Sequence, residues 1–138
     1  MSRNEQLRTL SIFHYVVGGM HAFFGSFGLI HFFIGISFLV NPSAWGGHSQ
    51  TAPPAWIGLI FAVLGGGFVL FGWTLGLATI ISGRFIAGRK NRKFSIVVGA
   101  INCAMMPLGT ALGVFDIILL TNDEVKALYP IHDATRRG

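Results

Sequence analysis

Three histidines, His14, His21 and His31, and one aspartate, Asp116, lie in stretches otherwise built almost wholly from apolar residues. Ionisable groups in such surroundings are costly unless paired, and are functional candidates by default. His14 and His21 are seven residues apart, so a helix places them on one face, two turns from each other. Histidines of this kind ligate haem iron or chlorophyll magnesium, or relay protons. The two ligands of one haem approach from opposite sides of the ring. His14 and His21, about 10 Å apart along one face, cannot sandwich it alone. A haem or chlorophyll on His14, His21 or His31 would need an axial partner from another helix or chain, and no cofactor is expected. The simplest structural role is a neutral imidazole bonded to a backbone carbonyl or a serine.

Asp116 is the only acid between Glu5 and Asp123. It falls about one turn inside the end of the last apolar stretch and shares a 3/4-spaced face with Asn102, Met106, Gly109 and Gly113. Two environments suit it. It looks into a bundle, where it must be protonated or paired with a histidine, or it sits in water at the headgroup level. No metal-ligand cluster, phosphate loop, nucleophile elbow or paired-carboxylate constellation occurs, so an enzyme is not expected. Cys103 is a lone cysteine, which excludes an internal disulfide and reads as a small packing residue.

The elements that hold these residues follow from composition. The chain has 138 residues, 52% hydrophobic and only 11% charged, against roughly 25% charged in ordinary soluble domains. No Asp, Glu, Lys or Arg occurs from Thr9 to Gly83. An all-α polytopic membrane bundle is the class that fits, as a single membrane domain over 1–138. About 20 helical residues span a hydrocarbon core about 30 Å thick. Three apolar segments are long enough: Leu10–Val40, Trp56–Ser82 and Phe94–Leu120. The first holds Gly25-Ser26-Phe27-Gly28 near its middle, where a helix can bend or break. The expected helices are therefore about 5–24, 27–40, 55–83 and 94–120, the last kinked at Pro107. Whether 10–40 crosses once or forms two elements is left open by the pattern. Thr121 to Glu124 fits a capping box and predicts a short surface helix over 122–129, with Val125, Leu128 and Tyr129 facing the membrane. The apolar run after Arg8 is far longer than a signal h-region, so a cleaved signal peptide is not expected.

Glycine supplies 19 residues. Helices in lipid associate by close packing, which small residues permit. Gly58, Ala62, Gly65, Gly72, Gly76, Thr79 and Gly83 recur at 3, 4 or 7 residues and make one small-residue seam. Gly18, Gly25, Gly28 and Gly35 make a second, shared with the histidines, and Gly109 and Gly113 a third. These seams serve either the bundle itself or a neighbouring chain.

Arg84, Arg89, Lys90, Arg92 and Lys93 cluster between the second and third apolar segments. Excess Lys and Arg mark cytoplasmic loops, and such a cluster also suits anionic lipid headgroups. Nothing else supports nucleic acid as a partner. The Asn41–Pro54 connector carries no Lys or Arg and is expected outside. A spanning last segment puts Lys126, Arg136 and Arg137 outside with it. Re-entry at Pro107 would put them inside.

The runs Ser11-Ile-Phe-His-Tyr-Val-Val-Gly-Gly19, Leu29-Ile-His-Phe-Phe-Ile-Gly35, Gly83-Arg-Phe-Ile-Ala-Gly-Arg-Lys-Asn-Arg-Lys-Phe94, Met106-Pro-Leu-Gly-Thr-Ala-Leu-Gly-Val-Phe115 and Glu124-Val-Lys-Ala-Leu-Tyr129 resemble a group of small bacterial integral membrane proteins. The resemblance covers most of Leu7 to Tyr129 and implies the bacterial inner membrane, but no activity. Asp116 stands where that pattern leads one to expect an uncharged residue such as threonine. The leading functional expectation is a structural or accessory membrane subunit that packs through its glycine seams, with itself or within a larger complex. The alternatives are a small proton- or ion-conducting bundle using Asp116 and the histidines, and a haem- or chlorophyll-holding subunit.

Overall fold

The computed structural model describes residues 2–46, 54–105 and 107–129. The described residues are helical, without a strand. Six α-helices follow in order: α1 Arg3–Ser26, α2 Gly28–Val40, α3 Ala55–Ala87, α4 Arg92–Cys103, α5 Leu108–Thr121 and α6 Asp123–Leu128. A short 3-10 turn, Pro42–Trp45, follows α2. Two elements are long and apolar enough to cross a membrane by length and composition, Arg3–Val40 and Ala55–Ala87. Of the connector expected at Asn41–Pro54, residues 47–53 lie outside the described residues, as do Met106, Pro130, Arg136 and Arg137.

The chain forms two compact units. One comprises Met20–Gly76 and the other Met1–Gly19 with Leu77–Gly138. In the Met20–Gly76 unit, α1 and α2 lie antiparallel to α3 in backbone contact. A Cβ on Gly25 would come within 2.9 Å of the Gly72 Cα, and one on Gly28 within 2.6 Å of the Gly65 carbonyl oxygen. Gly35 meets Gly58 and Ala62 in the same way. Gly25 and Gly28 thus flank the expected break and also make close backbone contacts. The helix is interrupted only at Phe27, by two i→i−3 bonds, Phe27 N–H to Phe24 O and Ile30 N–H to Phe27 O. Trp73 is 45% exposed, and its indole N–H donates to Ser26 Oγ at 3.1 Å. Trp45 stacks on Phe38 at 4.3 Å.

The second unit corrects the expected helix over 94–120. That stretch is two helices, α4 and α5, folded into an antiparallel hairpin. Gly109 faces Asn102 and Gly113 faces Gly99 and Cys103, a register that runs in opposite directions along the two helices. Pro107 does not kink a helix. It sits at the N-cap of α5, where its missing N–H costs nothing. Thr110 Oγ1 closes the turn on the Cys103 carbonyl at 2.8 Å. At 1.5 Å per residue the arms are only about 18 and 21 Å long, shorter than a hydrocarbon core of about 30 Å. Among the described residues, two membrane-capable segments therefore stand where three were expected.

Polar bonds tie the ends of this unit together. Arg3 Nε pairs with Glu124 at 2.7 Å, Arg89 donates to Asn4 Oδ1 at 2.7 Å, and Arg92 caps the Leu120 carbonyl at 2.7 Å. α6 starts one residue later than the sequence pattern implies. Asn122 Oδ1 accepts the Glu124 N–H, while Thr121 Oγ1 turns back to the Ile117 carbonyl. Val125 is fully buried, and Leu128 and Tyr129 pack against the same core. That face of α6 covers protein, not membrane.

The backbone contacts at Gly72 are absent at Gly67 on the same helix, where a Cβ meets nothing within 4 Å. Gly72→Leu should lower the melting temperature in detergent by an overpacking cost of about 1–3 kcal/mol, and Gly67→Leu should leave it unchanged. Thermal melts of the two variants, followed by circular dichroism, check this.

Candidate functional site

The interior of the unit formed by Met1–Gly19 and Leu77–Gly138 holds a set of polar side chains beside its apolar core. His14, Thr79, Ser82, Ser95, Asn102 and Asp116 are all fully buried in it. Each arrives by helical spacing. Ser11 and His14 lie on the buried face of α1 with Leu7, Leu10 and Val17; Thr79, Ser82 and Ile86 on that of α3; Ser95, Val98, Gly99 and Asn102 on that of α4; Leu112, Gly113, Asp116 and Leu120 on that of α5.

The centre of the site is a contact between α1 and α5. His14 Nε2 stands 3.0 Å from Asp116 Oδ2, with both side chains fully buried. The approach is close but not aligned as a hydrogen bond, which leaves His14 Nε2 and both Asp116 oxygens without an aligned partner. The other imidazole nitrogen is committed. Nδ1 lies 3.0 Å from the Leu10 carbonyl oxygen. A carbonyl only accepts, so Nδ1 carries the hydrogen. In the neutral ring Nε2 then holds a lone pair, pointed at a carboxyl group. Two bare acceptors 3.0 Å apart repel. The contact holds together when the pair carries a second proton, as a carboxylic acid against imidazole or as imidazolium against carboxylate.

Two glycines make room for it. A Cβ on Gly99 would fall 2.7 Å from Asp116 Cβ and Oδ2, and one on Gly83 would fall 2.8 Å from His14 Cβ. Around the pair, Asn102 Nδ2 donates to Thr79 Oγ1 at 3.1 Å and to the Val98 carbonyl at 3.0 Å. Asn102 Oδ1 and Ser82 Oγ are buried without a hydrogen-bond partner. Ser11 Oγ donates to the Gly83 carbonyl at 2.8 Å, one turn before His14. A hollow of about 260 Å³, lined by Asn4, Arg8, Ser11 and Arg89, reaches that serine. Tyr129 closes the far side of α6. Burial pushes its hydroxyl up to about 12, so it stays protonated at neutral pH.

The remaining sequence candidates divide clearly. His21 and His31 belong to the Met20–Gly76 unit. His21 is half-buried with Nδ1 unpartnered, and His31 is exposed and stacks on Phe61 at 5.9 Å. Of the His14 ring nitrogens, Nδ1 is bonded to the Leu10 carbonyl and Nε2 faces Asp116. Among the described residues no three His, Cys, Asp or Glu side chains come close enough to hold a metal. Gly18, Gly25, Gly28, Gly35, Gly58, Gly65, Gly72, Gly76, Gly83, Gly109 and Gly113 are all buried. Asn102 and Asp116 do not share one helix face; they come from two antiparallel helices. In the basic cluster Arg84, Lys90 and Lys93 are exposed, whereas Arg89 and Arg92 are half-buried and hold Asn4 and the end of α5. The hydroxyls of Ser82 and Ser95 were not singled out from sequence; the signal for them was their 3/4 spacing with Thr79 and Asn102.

Comparisons with protein families, with curated proteins and with solved structures give no match for this chain.

The pair has a simple energetic signature. Removing one member of a buried pair strands the other, typically at about 3–5 kcal/mol, with smaller values, up to about 1.7 kcal/mol, for polar contacts measured within membranes. His14→Ala and Asp116→Ala should each lower the melting temperature. The double variant should lose less than the sum of the two. Additive losses in that cycle would separate the two residues.

Proposed function

We propose that this chain is a polytopic integral membrane protein of the bacterial inner membrane and that it works as a small proton-relaying bundle. The observation that carries the reading is the His14–Asp116 contact, a buried pair that needs a shared proton to hold its geometry. Membrane embedding is supported by the inverted distribution of polarity. Six polar side chains are fully buried, while Phe23, Phe33, Leu64, Leu70, Phe115 and Ile118 are each more than half exposed. Water would reject that arrangement and lipid favours it.

In this reading α1–α2 and α3 cross the bilayer, and the α4–α5 hairpin enters and returns. Re-entry brings Arg3, Arg8, the 84–93 loop and Lys126 to one side, in keeping with the Arg3–Glu124 and Arg89–Asn4 bonds. That side is the cytoplasmic one by the Lys/Arg bias, and the 41–54 connector is external. Re-entry replaces the spanning arrangement, which would strand Lys126 on the other side. Protons reach the pair from the cytoplasmic hollow by way of Ser11. Exposed Arg84, Lys90 and Lys93 face anionic headgroups. This reading requires no chemistry beyond proton binding and release.

A second reading, a structural or accessory subunit, rests on the exposed Phe23–Phe24–Phe27 cluster, whose rings lie 5.4 to 6.2 Å apart. A partner would dock there. The glycine seams are already in use within the chain.

Vesicles holding the purified protein should dissipate an imposed pH gradient faster than empty vesicles, and Asp116→Asn should return the rate at least tenfold toward the empty control. Parent vesicles as tight as empty ones would remove the relay. For topology, single cysteines at Lys90 and Lys126 in a Cys103→Ser background should both be shielded from an impermeant thiol reagent in intact cells. Labelling at 126 alone would restore the spanning arrangement.

A further inference from the structure

A groove of about 520 Å³ runs between α1 and α5. Leu10, Val17 and Leu112 form its floor, and Phe13 and Phe115 its walls. Its polar lining residues, Arg3, Gln6 and Thr9, all lie in the first two turns of α1. The groove is therefore apolar along its length and polar at one end only. From Arg3 to Val17 it extends about 21 Å at the helical rise of 1.5 Å per residue. That matches half of a bilayer about 40–45 Å thick with its headgroup layers.

We propose that this groove binds one anionic phospholipid, with an acyl chain along α1 and α5 and its phosphate at Arg3. A guanidinium selects the headgroup. Arg3 lines the groove at its polar end; Glu124 takes its Nε and Gln6 its Nη1, and Nη2 is the group offered to the phosphate. Length and polarity select the tail. A partner helix would call for small residues along the contact, whereas these walls are phenylalanines and Ala111 is the one small side chain on α5 in the groove. The floor residues are also neighbours of the proton pair. Leu10 and Val17 flank His14 at one turn on either side, and Leu112 precedes Asp116 by one turn. The lipid thereby seals the pair on its α1–α5 side. The inference rests on the membrane placement but not on proton relay.

The test is native mass spectrometry of the full chain, stripped of lipid and titrated with phosphatidylglycerol or phosphatidylcholine. The parent should retain one phosphatidylglycerol per chain at a tenfold lower lipid concentration than phosphatidylcholine. Ala111→Trp, at an exposed position, should fill the groove and lose both adducts while melting like the parent. Arg3→Gln should bind the two lipids alike. Equal retention of both lipids by the parent would overturn the proposal, as would phosphatidylglycerol binding by Ala111→Trp at the parent's level. So would a dimer mass that Ala111→Trp abolishes, which would seat a second copy in the groove. Alkaline carbonate extraction of the same membranes separates the two levels. Release into the supernatant refutes the membrane placement itself. Retention in the pellet without lipid selectivity refutes only the groove.

Discussion

The buried contact between His14 and Asp116, 3.0 Å apart, is the interaction on which the packing of this unit turns. The Leu10 carbonyl fixes the imidazole tautomer, so Nε2 has no hydrogen of its own to offer in the neutral ring. The surrounding helices are shaped to that requirement. Gly99 and Gly83 leave the space that a Cβ would occupy, and the α4–α5 hairpin folds back so that Asp116 reaches α1 at all. A straight helix over 94–120 would have carried Asp116 to the far end of a spanning segment. Folding the segment between α4 and α5 brings it beside a histidine near the other end of the chain.

Glycine plays the same part in both units at different scales. In the Met20–Gly76 unit it allows two backbones to touch, as at Gly25 and Gly72. In the other unit it makes room for an ionisable side chain. The general advantage of small residues between helices in lipid is close approach, and a fold that places polar groups in its interior needs that closeness to exclude alternative partners. The exposed aromatic and branched side chains then face outward.

Much of the helical plan was legible in the sequence, because charge-free runs and glycine spacing are strong signals. The burial of the three seams follows from their 3/4 periodicity. The His14–Asp116 contact was legible only as one of several pairings, since 102 residues separate the two and nothing local chooses among three histidines. The hairpin was legible only as the alternative, re-entry at Pro107, for a physical reason. Pro107 reads as a kink inside an apolar run, and the run itself is long enough to span. What distinguishes a kink from a new helix start is the Thr110–Cys103 bond and the Gly109 and Gly113 contacts, which exist only after folding. The cap at Asn122 was displaced from Thr121 because the threonine hydroxyl has a competing carbonyl one turn back.

The most direct test of the shared proton is the nitrogen-15 spectrum of the His14 imidazole in the protein embedded in lipid, with and without Asp116→Asn. Hydrogen on Nδ1, together with an Nε2 signal displaced by a hydrogen bond to the carboxyl group and altered in Asp116→Asn, is the result predicted. An Nδ1 free of hydrogen, or an Nε2 signal indifferent to Asp116→Asn, would contradict it.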